Sequence, residues 1–165
     1  MVFARAIFVC FCLLITTASY AADSYIVSYV YDGDTVKLIN AEGGEIKLPL
    51  TDIDAPERNQ AYGLKSRRAL IQLCQGNNIL VTAHITGTDK YHRSLGKLQC
   101  NHNDASIYLA KHGLAWHYAQ YSSKGSIYNA ALKARQQKLG LWANGDAIPP
   151  WIWRKNHSYE KHYPH

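Results

Sequence analysis

Five of the chain's 12 acidic residues crowd into two short stretches, Asp32-Gly33-Asp34-Thr35 and Asp52-Ile53-Asp54-Ala55-Pro56-Glu57, in a protein that carries 18 Lys and Arg. Asp and Gly are ordinary turn formers, so one reading is a pair of turns with solvated acids. The other is an oxygen-rich shell of carboxylates, a backbone carbonyl and waters, which is what Ca²⁺ prefers. Asp34 shares strand parity with Val36 and Leu38 and points inward if they do. An unpaired carboxylate there would call for a cation or a strong donor. Asp54 and Glu57, three apart across Pro56, can project from one turn. Asp89-Lys90-Tyr91-His92-Arg93 adds an arginine whose planar fork matches phosphate oxygens, unless it is a surface residue paired with Asp89. Acids, metal and arginine together suggest phosphodiester chemistry. A metal would neutralise the phosphate, a carboxylate would prepare water, and Arg93 would stabilise the developing charge.

Those residues need a scaffold. From Tyr25 to Leu50, alternating and β-branched apolar residues broken by Gly33 and Gly43-Gly44 predict a three-strand antiparallel meander. Helical spacing of Leu70, Ile71, Leu73 and Cys74 predicts a helix over 59–74, closed by Gly76-Asn77-Asn78. Two more strands are expected at 79–85 and 95–100. Helices over 105–112 and 126–139 follow, each stopped by a glycine, Gly113 and Gly140. From Ala147 onward, Pro149-Pro150 predicts an irregular tail. With no internal repeat or linker, this is one domain, residues 22–165, of α+β class. Strands this short need closure to protect their edges, which favours a five-stranded OB-type barrel with about three helices over other α+β arrangements.

Residues 1–21 are set apart. Arg5, an apolar run from Ala6 to Ile15, and small residues at Ser19 and Ala21 read as a secretory signal cut after Ala21. At about 1.5 Å rise, ten apolar residues cannot cross a hydrocarbon layer of roughly 30 Å, and no later segment is apolar enough to span. An exported protein, periplasmic or secreted, is therefore expected. Of the four cysteines, only Cys74 and Cys100 would survive cleavage. An oxidising compartment favours one disulfide between them over two separate buried thiols. Closing a loop of about 27 residues, it would be worth roughly 3–4 kcal/mol. Two cysteines fall short of a zinc site. The 47% hydrophobic fraction excludes a disordered or collagen-like chain.

At these same residues the chain resembles the thermonuclease family, the staphylococcal-nuclease-like phosphodiesterases. The matching segments, in the family's order, are Val30–Leu38, Ile53–Glu57, Asp89–Arg93, Gly113–Trp116, Ala134-Arg135, Gly140–Trp142 and Pro149–Arg154. Each is weak alone, and in register they are specific. The resemblance implies an OB-fold barrel with Ca²⁺ held by Asp34, Asp54 and the carbonyl of Ala55, and with Asp32 behind them. It implies Glu57 as general base or water-ordering group, Arg93 as phosphate clamp, and DNA and RNA as substrates cut with little sequence preference to 3′-phosphates.

One departure from the family matters. Pro49 stands where the family has a second phosphate-binding Arg, and losing one arm of a clamp could cost about 10²-fold or more in rate. Lys47, two residues back on the same parity, and Arg58 are the candidates to replace it. His92 replaces a usual Gly and could add a donor or simply be exposed. Asp52, where small residues are common, could enrich the metal shell or sit beside it. Tyr118 and Tyr121 could stack on bases, or Trp116 is core and only one of the two touches ligand, and Tyr91 is a further substrate-binding candidate. Trp142, Trp151 and Trp153 read as anchors of the tail, and His157, His162 and His165 as part of an unstructured end. The favoured function is a Ca²⁺-dependent, sugar-nonspecific nuclease, expected as a monomer, and the sequence points to no particular protein partner. The alternative is a catalytically weakened OB-fold module that binds nucleic acid or nucleotide, and an envelope accessory is a third.

Overall fold

A computed structural model describes residues 24–89, 92–118 and 125–162. The predicted meander is β1 (Ser24–Val30), β2 (Thr35–Ile39) and β3 (Glu45–Pro49). Its register puts Val27 opposite Leu38 and Val36 opposite Leu48, so all four face one interior. Strands β5 (Val81–Thr88) and β6 (Ser94–Cys100) follow the helix α1 (Gly63–Cys74). β5 pairs antiparallel with both β1 and β6. The sheet then closes on itself. Leu50 bridges Gly96 in parallel, and the Thr51 amide donates to the Gly96 carbonyl at 3.2 Å. A Cβ at residue 96 would lie 2.5 Å from the His84 carbonyl oxygen, so only glycine lets the strands approach.

The five long strands make the expected closed barrel, and three two-residue strands supplement it: β4 (Ile53–Asp54), β7 (Asn103–Asp104) and β8 (Trp116–His117). β7 extends the sheet beside β6, while β4 pairs with β8 and holds the Asp54 turn against the barrel. Val30, Val36, Leu38, Leu48, Leu98 and Leu109 are fully buried, and α1 adds Leu70 to that core. The disulfide Cys74–Cys100 joins the end of α1 to the end of β6.

The helix ends show where local sequence rules apply. α2 (Ala105–Lys111) starts on Asp104, whose carboxylate accepts from the Ile107 amide at 2.9 Å. It closes at Gly113, φ +65°, in a Schellman turn. α3 (Ser126–Gln136) stops earlier than the glycine rule predicts. Lys138, φ +54°, takes the left-handed position, and its amide and that of Leu139 reach back to Arg135 and Ala134. Gly140 instead opens a 3₁₀ turn, Gly140–Trp142, pressed against Gly113.

The tail is not irregular, and this corrects the expectation. Residues Pro150–His162 form a fourth helix, α4. Pro150 fills the first helical position, where its missing N–H costs nothing, so the Pro-Pro pair starts a helix rather than forbidding one. Of the three histidines of that end, His157 and His162 fall on this helix and His165 lies outside the described residues. The His157 ring stacks on Trp153 at 3.8 Å and its Nδ1 lies 2.9 Å from the Trp153 carbonyl oxygen. The tryptophans do anchor this end. Trp116 packs edge-on against both Trp142 (4.4 Å) and Trp151 (5.6 Å). Among the described residues no helix is long and apolar enough to cross a membrane.

Candidate active site

The turn between β1 and β2 carries Asp32 and Asp34 into the mouth of the barrel. Asp32 accepts from the Asp34 amide at 3.1 Å and so closes the turn on itself. Asp34 in turn accepts from the Ala55 amide (2.6 Å) and the Thr35 hydroxyl (3.0 Å), which ties this turn to the second acidic segment. Gly33 is what permits the approach. A Cβ there would stand 2.6 Å from the Cβ atoms of Ala55 and Ser66. Burial, and then the charge of Asp32, push the Asp34 carboxyl well above the usual carboxylate range, against the opposing pull of the Ala55 amide.

The second segment is held from below by Gln60. Its side-chain carbonyl accepts from the Glu57 amide at 3.1 Å, and its amide nitrogen donates to the Ile148 carbonyl at 2.6 Å. That buried glutamine locks the Glu57 turn and joins it to the residues that lead into α4. At Gly63 a Cβ would overlap the Glu57 carbonyl, so the turn can fold directly under α1.

Asp32, Asp34, Asp54, Ala55, Glu57 and Arg93 all line one open cavity of about 470 Å³, joined by Lys47, Pro49, Asp89 and Tyr118. The volume suits a nucleotide-sized ligand. Arg93 reaches the cavity with its guanidinium on Asp89: Nε donates to Oδ2 at 2.7 Å and Nη2 lies 2.6 Å from the same oxygen. Arg93 therefore satisfies both readings of the loop, since it is paired with Asp89 and also borders the site. Lys47 sits with its ammonium 4.4 Å above the Tyr31 ring.

Three residues fall elsewhere. Arg58 is exposed and lies outside the cavity lining. Asp52 is buried away from the cavity, 3.3 Å from the Lys97 ammonium. His92 is exposed at φ +59°, a left-handed position that a glycine would occupy without strain. Tyr91, Tyr121 and the 1–21 segment lie outside the described residues.

A family model described as staphylococcal nuclease homologue matches residues 47–144. Two relatives are described as uncharacterized endonucleases. That of Escherichia coli O157:H7 is 36% identical over 126 residues, 76% of this chain and 80% of the relative. That of Haemophilus influenzae is 34% identical, over 76% of this chain and 70% of the relative. A micrococcal nuclease of Shigella flexneri is 31% identical over 163 residues, 92% of this chain and 91% of its own length. The chain belongs to the staphylococcal nuclease family.

In this staphylococcal nuclease homologue the sequence reading missed two site residues, Gln60 and Arg154. Arg154 projects from α4 into the cavity and clamps the second acidic segment. Its Nη1 and Nη2 donate to Asp54 Oδ1 (3.0 Å) and Oδ2 (2.8 Å), and Nη1 also donates to Glu57 Oε1 at 2.9 Å. These bonds, the one to Asp54 foremost, raise the guanidinium pKa still further, so its charge is fixed. No sequence spacing could reveal a partner 97 to 100 positions away. The one local signal was an arginine directly after two tryptophan anchors.

Among the described residues no three His, Cys, Asp or Glu side chains form a ready-made metal shell. The donor chemistry nevertheless fits a hard divalent ion. Asp34 and Asp54 bring carboxylate oxygens to the same cavity, and such an ion would offset the burial and the neighbouring Asp32 and Asp54 charges that hold up the Asp34 pKa.

Proposed function

We propose that this chain is an exported, metal-dependent nuclease that hydrolyses phosphodiester bonds of DNA and RNA, leaving 3′-phosphates. The observation that carries the reading is that Asp34, Asp54, Glu57 and Arg93, drawn from three separate segments, border one cavity of nucleotide size. A pure binder of polyanions gains nothing from carboxylates gathered where the phosphate would lie. The apolar segment from Ala6 to Ile15 and the Cys74–Cys100 disulfide support export.

Asp34, Asp54 and the Ala55 carbonyl would hold the ion, Ca²⁺ by preference for all-oxygen ligands, and Asp32 keeps Asp34 oriented through its bond to the Asp34 amide. Bound there, the ion would supply Lewis-acid polarisation of a phosphate oxygen. Glu57 accepts a proton from the attacking water as its oxygen bonds to phosphorus. The bond from phosphorus to the 5′-oxygen breaks on the opposite side, and that oxygen takes a proton from solvent. Arg93 neutralises charge on the equatorial oxygens. Lys47 and Tyr118, on the same cavity, hold the flanking phosphate and base.

The test is degradation of plasmid DNA and of RNA by purified protein with Ca²⁺ and with chelator. Cutting in Ca²⁺ that stops in chelator is the expected outcome. Tight binding with no cutting under either condition would replace this reading with the weakened binding module.

A further inference from the structure

The Asp54 carboxylate has both oxygens occupied by Arg154, and Glu57 shares the same guanidinium. Those are the two groups that the proposed chemistry needs for ion and water. An arginine fixed there permanently would block the site, yet it is not sealed in. Its side chain is 48% exposed, against 10% for Asp54, and it approaches from the solvent side on a helix that reaches the site beside Tyr118 and Trp116.

Charge inside the cavity decides where such a group goes. Five carboxylates line it, from Asp32, Asp34, Asp54, Glu57 and Asp89, against three cations, Lys47, Arg93 and Arg154. Arg93 already rests on Asp89 and Lys47 over Tyr31. When a divalent ion engages Asp54, the guanidinium loses much of its electrostatic hold, and an entering phosphate offers the same bidentate geometry at higher charge. Pro49 lines the cavity on the barrel side and brings no charge at all.

We infer that Arg154 is a phosphate-binding residue of this site, delivered by α4, resting on Asp54 and Glu57 until ion and phosphate arrive together. It supplies a second guanidinium that the barrel itself does not. This inference rests on the nuclease reading for its substrate but makes its own claim about binding.

The test uses calorimetric titration of the full chain with a nucleoside 3′,5′-bisphosphate in Ca²⁺, and separately with Ca²⁺ alone. Arg154→Gln should weaken the bisphosphate at least ~10-fold, while Ca²⁺ alone binds equally or more tightly because a competitor is gone. Arg154→Lys, which keeps the charge without the fork and guards against misfolding of the first variant, should fall between Gln and wild type. Adding Pro49→Arg to Arg154→Gln should recover part of the loss, since it aims a guanidinium into the same cavity. Bisphosphate affinity unchanged in Arg154→Gln overturns the inference, and so does a collapse of Ca²⁺ affinity, which would make Arg154 a positioning group for Asp54. If the wild type binds bisphosphate through Arg154 but cuts no nucleic acid, the nuclease reading fails alone. If it cuts and Arg154→Gln binds as tightly as wild type, this inference fails alone.

Discussion

The two acidic walls of the cavity are built from the same residue types and stand in opposite electrostatic states. On the Asp32–Asp34 wall the carboxylates are satisfied by backbone amides and one hydroxyl, and among the described residues Asp34 has no ion-pair partner. On the Asp54–Glu57 wall a single guanidinium takes three carboxylate oxygens. One wall is tied to backbone amides and short of positive charge, and the other is neutralised by a group that can leave. The contrast shows that a basic protein can gather acids in one cavity without uniform repulsion, by keeping one half compensated and the other under tension.

The sharpest way to probe the second wall is to remove the proton acceptor proposed on it. Glu57→Gln keeps an oxygen for Arg154 but cannot take a proton from water, so cleavage in Ca²⁺ should drop by about 10²–10⁴-fold with little change in melting temperature. A steady-state assay on single-stranded DNA, beside a melting curve, separates the two. The counterpart on the first wall is Gly33→Ala. Its Cβ would meet Ala55 and Ser66 at 2.6 Å, which must push the Asp34 turn off the second segment. Denaturant unfolding should show a loss of about 1–3 kcal/mol, with weakened Ca²⁺ binding. Normal stability and normal Ca²⁺ affinity would mean that the two walls are not mechanically joined.

The first wall was legible in the sequence and the second only half so. Strand alternation located Val36 and Leu38 and hence Asp34, because parity is a local property of the chain. The barrel's strands and the disulfide partners followed from equally local or compositional cues. Of what depends on the chain's end returning to the barrel, the tryptophan anchors were legible and the rest escaped. Pro149-Pro150 was legible as a breaker, yet Pro150 is fully buried and starts α4, a role set by the tryptophan cluster it docks on. Arg154 and Gln60 acquire their functions from partners 88 to 100 residues distant, and no periodicity encodes such a pairing. The end of α3 shows the same limit in miniature. Lys138 accepts a left-handed backbone because Leu139 and the 3₁₀ turn must pack on Gly113, although Gly140 offered the better residue for it.

Gln60 tests whether the second wall depends on α4. Gln60→Leu leaves the Glu57 amide and the Ile148 carbonyl without their buried partners and should cost on the order of 1–3 kcal/mol. Hydrogen exchange should report it as faster opening of α4 together with the 57–60 turn. If only the turn opens faster, the helix is anchored by its tryptophans alone.

The smallest effect is the most specific to the first wall. Because folding raises the Asp34 pKa, the native state binds its proton more tightly than the unfolded chain does. The group's contribution is thus fully present below the ordinary carboxylate value of 3.8 and is lost as pH rises through the higher folded value. In chelator, the melting temperature of wild type should therefore carry a falling component above pH 3.8 that Asp34→Asn removes. At neutral pH the variant should be the more stable protein, by on the order of 1 kcal/mol for relieving one half-buried, crowded charge. Saturating Ca²⁺ should reverse the order, since the ion stabilises only the chain that keeps the carboxylate. Equal slopes in chelator would show that the Asp34 wall is not under tension, and the contrast between the two walls would reduce to which of them Arg154 happens to touch.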